Sequence, residues 1–337
     1  MALIKTFGST IKGIVSVVPK STEDNLDLPN ISIEDKESLI KHTGIRFRKT
    51  DAKSGVDVKD YFSKGIEELL SNLNWEKASI DILICVTQTT TISIPSVSCR
   101  IHGDMKFEKQ TLCYDINSGC SGFVYGLQTV QSIMHGFNQK NVRAILCCGD
   151  LSSQLIEEND NTTKPIFSDG VSIIGIESTE DRNEITGYFN LETAGQGQSA
   201  IFTSKGADDK KYMRLNGIDI YNYSVKYVPK NIIDLLEFAS KELNFPDYFI
   251  FHQANKLINE SIRKKLGLDE SIVPSSLYEF GNTASASIPI TLNTIWENHK
   301  KNNGWILISG FGVGFSMASG LIKFEPDFCM QPIEIEL

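Results

Sequence analysis

Asp115-Ile116-Asn117-Ser118-Gly119-Cys120-Ser121-Gly122-Phe123 is the stretch around which the rest of the chain can be placed. Residues 110–116 lean apolar and read as a strand that ends in small residues. Phe123, Leu127, Val130, Ile133 and Met134 then recur at helical spacing, so a helix starts close to Cys120. A cysteine at a strand-to-helix junction lies in the field of free backbone N–H groups. That field favours the thiolate and predicts a better nucleophile at neutral pH. The competing reading is a small buried residue at a tight turn, because structural cysteines are common and inert.

A chain of 337 residues suffices for one large domain or two closely packed halves. With 41% hydrophobic and 22% charged residues, the composition is that of a soluble globular protein. A formal net charge of -9 argues against a dedicated nucleic-acid binder. Cys85, Cys99, Cys113, Cys120, Cys147, Cys148 and Cys329 are odd in number and form no zinc spacing, which suits free thiols in a reducing, cytoplasmic setting without a bound metal. The first twenty residues mix Lys5, Thr6, Gly8 and Lys12 into their apolar positions and read as a strand, not a signal peptide. Apolar runs such as 80–86 are strand-sized, so no membrane span is expected.

Along the chain, residues 2–19 read as strand, turn and strand, with Gly8 and Gly13 as punctuation. A helix is expected over 33–41. Arg46 and Arg48 follow, alternating with apolar residues so that both project from one face toward a phosphate-bearing ligand or solvent. Helical periodicity covers 56–73, a doubly covered strand 78–86, a helix 97–102 and a second buried strand 142–148, ending at Gly149-Asp150. Residues 155–165 are polar and turn-rich, and 171–177 read as a strand. Segments 184–191 and 200–203 are β-like, 205–211 carry exposed charge, and 221–243 form a long amphipathic helix.

The last third repeats the first. Tyr248-Phe249-Ile250-Phe251 is a buried strand running into His252-Gln253-Ala254-Asn255, and a helix with Leu257, Ile258, Ile262 and Leu266 follows. Then come Gly281-Asn282-Thr283, a helix over 287–299 and a strand 305–309 ending in Gly310-Phe311-Gly312-Val313-Gly314-Phe315. The interval from Asn282 to Gly310 nearly equals that from Cys120 to Gly149, and each holds a small-residue turn, an amphipathic helix and a buried strand ending in glycine. The chain therefore reads as an α/β protein of two duplicated halves, 1–178 and 179–337. Cys120 and Asn282 fall at equivalent strand–helix corners and His252 at the end of a neighbouring strand. Sites in α/β sheets gather at such carboxyl ends, so the three are expected to converge.

These residues carry a family resemblance. Cys120 in Ser118-Gly119-Cys120-Ser121-Gly122-Phe123, His252 in Phe251-His252-Gln253-Ala254-Asn255 and Asn282 in Gly281-Asn282-Thr283-Ala284-Ser285-Ala286-Ser287-Ile288-Pro289 resemble the Cys-His-Asn triad of the 3-oxoacyl-[acyl-carrier-protein] synthase III family, which has a thiolase-like fold. Thr43-Gly44-Ile45-Arg46, Ile94-Pro95-Ser96, Phe167-Ser168-Asp169-Gly170, Leu215-Asn216-Gly217-Ile218-Asp219-Ile220-Tyr221 and the 310–315 turn fall in the family's order. The resemblance implies five layers, α-β-α-β-α, and a homodimer. It implies substrates that are acyl-coenzyme A or acyl carrier protein thioesters, with no cofactor.

The implied reaction is a decarboxylative Claisen condensation of an acyl thioester with malonyl-acyl carrier protein. Cys120 stores the acyl group, and the backbone N–H groups of Cys120 and Val313 hold the oxyanion. His252 and Asn282, as neutral donors, stabilise the enolate left when carbon dioxide departs. Arg46 would meet phosphate, Lys256, Arg263, Lys264 and Lys265 would form a basic landing for the acidic carrier, and Ile94 would floor the partner's acyl pocket across the dimer. The chain departs from the family where Ser38 and Asn161 stand in place of the Trp and Arg that sandwich adenine, which favours a carrier-borne primer and a specialised homologue. Two alternatives stand beside this reading: acyl transfer from Cys120 to an oxygen or nitrogen nucleophile, and a non-catalytic partner subunit of the same fold.

Overall fold

The structure, a computed structural model, describes residues 2–51, 56–296 and 304–337. Its central strands show why the apolar runs are unbroken. In Ile82–Val86 and Arg143–Leu151, Ile82, Ile84, Val86, Ala144, Leu146 and Cys148 enter one core, whereas Leu83, Cys85, Ile145 and Cys147 enter another. Successive strand side chains alternate faces, so a strand covered on both sides is apolar at every position. Trp305–Gly312 repeats the pattern, with Ile306 and Ile308 in the first core and Leu307 in a third.

Two sheets result. The first runs Phe328–Cys329, Ser9–Pro19, Asp169–Ser178, Arg143–Leu151, Ile82–Val86, Leu112–Ile116, with Ile333–Ile335 also on Ser9–Pro19. The second runs Ala2–Phe7, Ile185–Thr193, Ser316–Lys323, Trp305–Gly312, Tyr248–Phe251. In the first, Ile82–Val86 pairs parallel with Arg143–Leu151, which pairs antiparallel with Asp169–Ser178. In the second, Tyr248–Phe251, Trp305–Gly312 and Ser316–Lys323 pair in the same senses. The chain ends cross over: Ala2–Phe7 edges the second sheet, while Phe328–Cys329 and Ile333–Ile335 join the first.

Helices Gly122–Gly136 and Ser287–Ile295 lie between the sheets, where Phe123, Leu127, Ile288 and Leu292 share one core with strands of both. Val58–Leu73 and Val97–Met105 cover the outer face of the first sheet. Gly217–Ala239 and Lys256–Leu266 cover that of the second. The architecture is thus the five-layered α-β-α-β-α arrangement that the resemblance implies.

Local departures from the sequence reading have physical causes. Gly13 is not a turn: Ser9–Pro19 runs through it with a register shift, and a Cβ there would meet the Phe328 ring at 2.3 Å. The long helix starts before 221 because Asn216 caps it, its side chain accepting the Asp219 N–H, and it ends at left-handed Ser240. The last inner helix is described as far as Ile295, and positions 297–303 lie outside the described residues. Asn282 follows the short helix Leu277–Phe280 instead of a strand, its backbone bridging Phe167.

Gly65 seats Val58–Leu73 on the first sheet, since a Cβ there would stand 2.2 Å from Ile173 Cδ1. Gly65→Ala is expected to lower stability by about 1–3 kcal/mol through overpacking, read as a lower urea midpoint at unchanged m-value.

Candidate active site

Cys120 sits just ahead of helix Gly122–Gly136, His252 directly after strand Tyr248–Phe251, and Asn282 after Leu277–Phe280. All three are buried and line one cavity of about 90 Å³, walled by Phe167, Ile220 and Phe311. The convergence expected from the sequence is therefore found. The hairpin Ile201–Lys205/Lys211–Leu215 closes one side through Ile201 and Leu215.

Two glycines let the strand Trp305–Gly312 approach the cysteine. A Cβ at Gly310 would lie 2.8 Å from Ser121 Cα and 2.9 Å from the Cys120 carbonyl oxygen, and one at Gly312 would lie 3.0 Å from Cys120 Sγ. The backbone beyond comes close enough for the N–H groups of Val313 and of Cys120 itself to act on the sulfur. The Cys120 and Ser121 turn is pinned further by Ser121 Oγ, 2.6 Å from Ser316 Oγ.

The free thiol differs from the first expectation. Burial, followed by the nearby Asp150 charge, pushes Cys120 up to about 12, against the lowering effect of those two N–H groups. The helix-end field does not produce a resting thiolate, because desolvation of a sulfur enclosed by both halves outweighs it.

His252 is held from several sides. Its Nδ1 lies 2.7 Å from Ser287 Oγ, and its carbonyl accepts from Asn259 Nδ2 at 3.1 Å. Its ring meets Phe311 edge-on, centroids 5.6 Å apart. Burial pushes the imidazole down to about 3, with a backbone hydrogen bond to Ala284 opposing, so it is neutral at physiological pH. Ser287 Oγ also accepts the Gln253 N–H at 3.2 Å. Asn282 Oδ1 accepts the Ala284 N–H at 3.0 Å, fixing its Nδ2 as donor. One thiol, one neutral imidazole and one amide donor thus face a single space.

A second, smaller cavity of about 30 Å³ adjoins Cys120 on another side and shares Phe167 and Ile201 with the first. Its lining includes Gln88, Thr89, Asp150 and Ser152. In the sequence Asp150 reads only as the end of a strand; an acidic residue directly after glycine at a strand's carboxyl end is the available signal.

Other candidate residues lie apart from this space. Arg46 is half-exposed, its Nε donating to Asp24 at 3.1 Å. Arg48 does not share its face: it is buried, bonded to Asn25 Oδ1 at 2.9 Å and Glu23 Oε2 at 2.7 Å, and serves the loop structurally. Lys256, Lys264 and Lys265 are exposed on helix Lys256–Leu266, whereas Arg263 is clamped by both Glu260 oxygens and by Leu268 O. Ser38 and Asn161 are exposed. Ile94 is 87% exposed beside exposed Ile92 and lines neither cavity.

Two titrations follow. Alkylation of Cys120 by iodoacetamide should accelerate about ten-fold per pH unit from pH 7 to 10, as the thiolate fraction grows; a plateau below pH 8 would contradict the raised value. His252 is depressed from 6.5 to about 3, so the unfolded chain binds its proton first. Its contribution to stability is present above pH 6.5 and is lost as pH falls toward 3, at up to about 1.4 kcal/mol per unit. In chemical denaturation across that window, His252→Gln should show a shallower slope than the parent.

Comparison with known proteins agrees with this geometry. The family model described as 3-oxoacyl-[acyl-carrier-protein (ACP)] synthase III matches residues 114–195, and its C-terminal counterpart matches 236–324. The beta-ketoacyl-[acyl-carrier-protein] synthase III of Campylobacter curvus is 29% identical over 331 residues, covering 94% of this chain and 97% of the relative. That of Levilactobacillus brevis is 28% identical over 317 residues, covering 91% and 95%. The crystal structure of a 3-oxoacyl-(acyl-carrier protein) synthase from Burkholderia xenovorans superposes with a TM-score of 0.90 at 28% identity, over 98% of each chain. With the nucleophile turn in one matched segment and both donors in the other, the chain belongs to the 3-oxoacyl-[acyl-carrier-protein] synthase III family.

Proposed function

We propose that the chain is a condensing enzyme that carries out decarboxylative Claisen condensation of a Cys120-bound acyl group with malonyl-acyl carrier protein. The observation that carries this reading is the single cavity holding one thiol flanked by two backbone N–H groups and faced by a neutral imidazole and an amide donor. In the first half-reaction the Cys120 sulfur attacks the donor thioester. Its bond to the acyl carbon forms, the donor's sulfur–carbon bond breaks, and the thiol proton leaves with the donor thiol. The Cys120 and Val313 N–H groups stabilise the tetrahedral oxyanion.

In the second half-reaction the malonyl thioester loses carbon dioxide, and its electron pair becomes an enolate. His252 Nε2–H and Asn282 Nδ2–H donate to the enolate oxygen. A neutral imidazole suffices, and its low basicity fits a donor better than a general base. The enolate carbon attacks the acyl-enzyme, and the Cys120 thiolate leaves.

The exposed Lys256, Lys264 and Lys265 beside the cavity wall formed by Asn255 and Ile258 suit an acidic carrier, with Arg263 contributing less because Glu260 neutralises it. Exposed Ser38 and Asn161 offer no aromatic stacking for adenine, which favours a carrier-borne primer and a specialised role; Arg46 would meet the phosphate of its prosthetic arm. Bare Ile92 and Ile94 suit burial against a second copy in a homodimer, and the free thiols suit the cytoplasm.

The test is carbon dioxide release from malonyl-acyl carrier protein with an acyl donor present. His252→Ala and Asn282→Ala should each lower it about 10²–10³-fold. Both should still show an acyl adduct by intact mass, and Cys120→Ser should show none. An acyl adduct discharged to an alcohol or amine, without release of carbon dioxide, would move the assignment to an oxygen- or nitrogen-directed acyltransferase.

A further inference from the structure

The turn that carries the Val313 N–H is held less by the core than by a few contacts from outside it. Val313, Gly314, Phe315 and Ser316 are each half-buried. Gly314 and Phe315 are both left-handed, at φ 68° and 44°. Glycine adopts that conformation freely, but a phenylalanine there is disfavoured and persists only where its surroundings hold it. The Tyr223 ring, on helix Gly217–Ala239, stacks on the Phe315 ring with centroids 4.1 Å apart and planes 4° from parallel. Gly197 leaves room for the same ring, since a Cβ there would collide with Phe315 Cδ2. The Phe315 carbonyl accepts from Ala194 N at 3.0 Å and from the Tyr223 O–H at 3.4 Å. Tyr227, one turn further along the helix, braces Tyr223 with ring centroids 4.7 Å apart. At the turn's other end, Ser316 Oγ donates to the Val313 carbonyl at 3.0 Å and lies 2.6 Å from Ser121 Oγ.

We propose that Tyr223 is a positioning residue of the reaction, its ring holding Phe315 so that the Val313 N–H stays aimed at the acyl oxygen of the tetrahedral intermediate. This role rests on the acyl-cysteine reading and adds to it a residue that lines neither cavity. A backbone donor stabilises an oxyanion only when it is fixed on the place where the charge develops. Val313–Phe315 form one tight turn, closed by the Ser316 N–H on the Val313 carbonyl. Were Phe315 to relax to an ordinary negative φ, that closure would be lost and the Val313 peptide could rotate away from Cys120. The stack with Tyr223 opposes that relaxation, because a parallel ring pair tolerates little sliding or tilting of either ring. One turn earlier, the same helix walls the larger cavity through Gly217 and Ile220. A single element thus frames the incoming thioester and steadies the donor that meets its carbonyl oxygen. The effect is confined to steps in which an oxyanion forms, namely attack on the donor thioester and attack on the acyl-enzyme.

The experiment follows loading of Cys120 in the full-length protein by intact mass, with butyryl and octanoyl donors presented as coenzyme A and as carrier-protein thioesters. Tyr223→Leu keeps an apolar side chain but no flat ring. It should lower the maximal loading rate about ten-fold while changing the half-saturating donor concentration less than about two-fold. Tyr223→Phe keeps the stack and loses only the O–H, so it should load within about three-fold of the parent. Iodoacetamide alkylation of Cys120 is the control, because the sulfur displaces iodide from a saturated carbon and no oxyanion forms. Tyr223→Leu should slow alkylation by less than about three-fold. Phe315→Leu removes the other ring and should match the loss in loading, and the double variant should load no slower than the slower single one. Parent-like loading by Tyr223→Leu, or equal slowing of loading and alkylation, would overturn the role. So would a defect in Tyr223→Phe as large as that in Tyr223→Leu. Failure of the parent to load any donor would overturn the acyl-cysteine reading and the role together. Where Tyr223→Leu does not fold, Phe315→Leu applies the same test from the other side of the stack.

Discussion

The strand end Gly310–Gly312 presses its bare backbone onto Cys120 and Ser121, and the site exists only because it does. At Gly310 a methyl group would collide with main-chain atoms of the cysteine turn, and at Gly312 with the sulfur itself. Side chains at either position would hold the two sheets apart and withdraw the Val313 N–H from the sulfur. The contact joins the second half's strand to the first half's nucleophile, so neither half alone contains the site. The duplicated topology supplies the rest. One inner helix follows the Cys120 turn and the other follows the Asn282 turn, and the two pack in one shared core that fixes the distance between those turns.

Enclosure by both halves decides the electrostatics. In a space this dry, the charged forms of both titratable partners are penalised, and the thiol and the imidazole move in opposite directions. A thiolate–imidazolium pair is therefore not the resting state. The pair rests neutral, and the polar groups around it are oriented: Ser287 Oγ holds the imidazole ring and the Ala284 N–H sets the Asn282 amide. Donors prepared in this way have little reorganisation left to undergo when negative charge develops on a substrate oxygen.

This division explains what could be read from the chain. The alternation of doubly apolar strands with amphipathic helices is local, and so is the repeated spacing that sets Cys120, His252 and Asn282 in corresponding places; the layers and the convergence were legible. The state of the sulfur was not. Helix-end fields follow from sequence position, but desolvation depends on which distant residues surround the atom, and here Gly312 and Val313 do. Arg48 looked like Arg46 by alternation, yet one is folded under Asn25 and Glu23 while the other remains at the surface. Gly13 looked like a turn because its true reason, the Phe328 ring, lies at the far end of the chain. The walls supplied by the hairpin Ile201–Lys205/Lys211–Leu215 escaped notice because its sequence reads as exposed charge around a few apolar positions.

On the proposed reaction, the same depressed basicity and raised thiol have a kinetic use. A thioester expels its sulfur more slowly when the thiolate is poorly stabilised, and the Asp150 charge beside Cys120 acts on the thiolate but not on the neutral acyl-enzyme. Water attacking the acyl-enzyme would need a base, and an imidazole held near 3 is a poor one. Both effects protect the stored acyl group while the donor thiol departs and the second thioester enters. The enolate needs no base once carbon dioxide has left, so the features that slow hydrolysis leave carbon–carbon bond formation open. A more strongly activated cysteine would load faster and lose more of its acyl group to water, and the burial imposed by the Gly310–Gly312 contact places this site on the protective side of that balance.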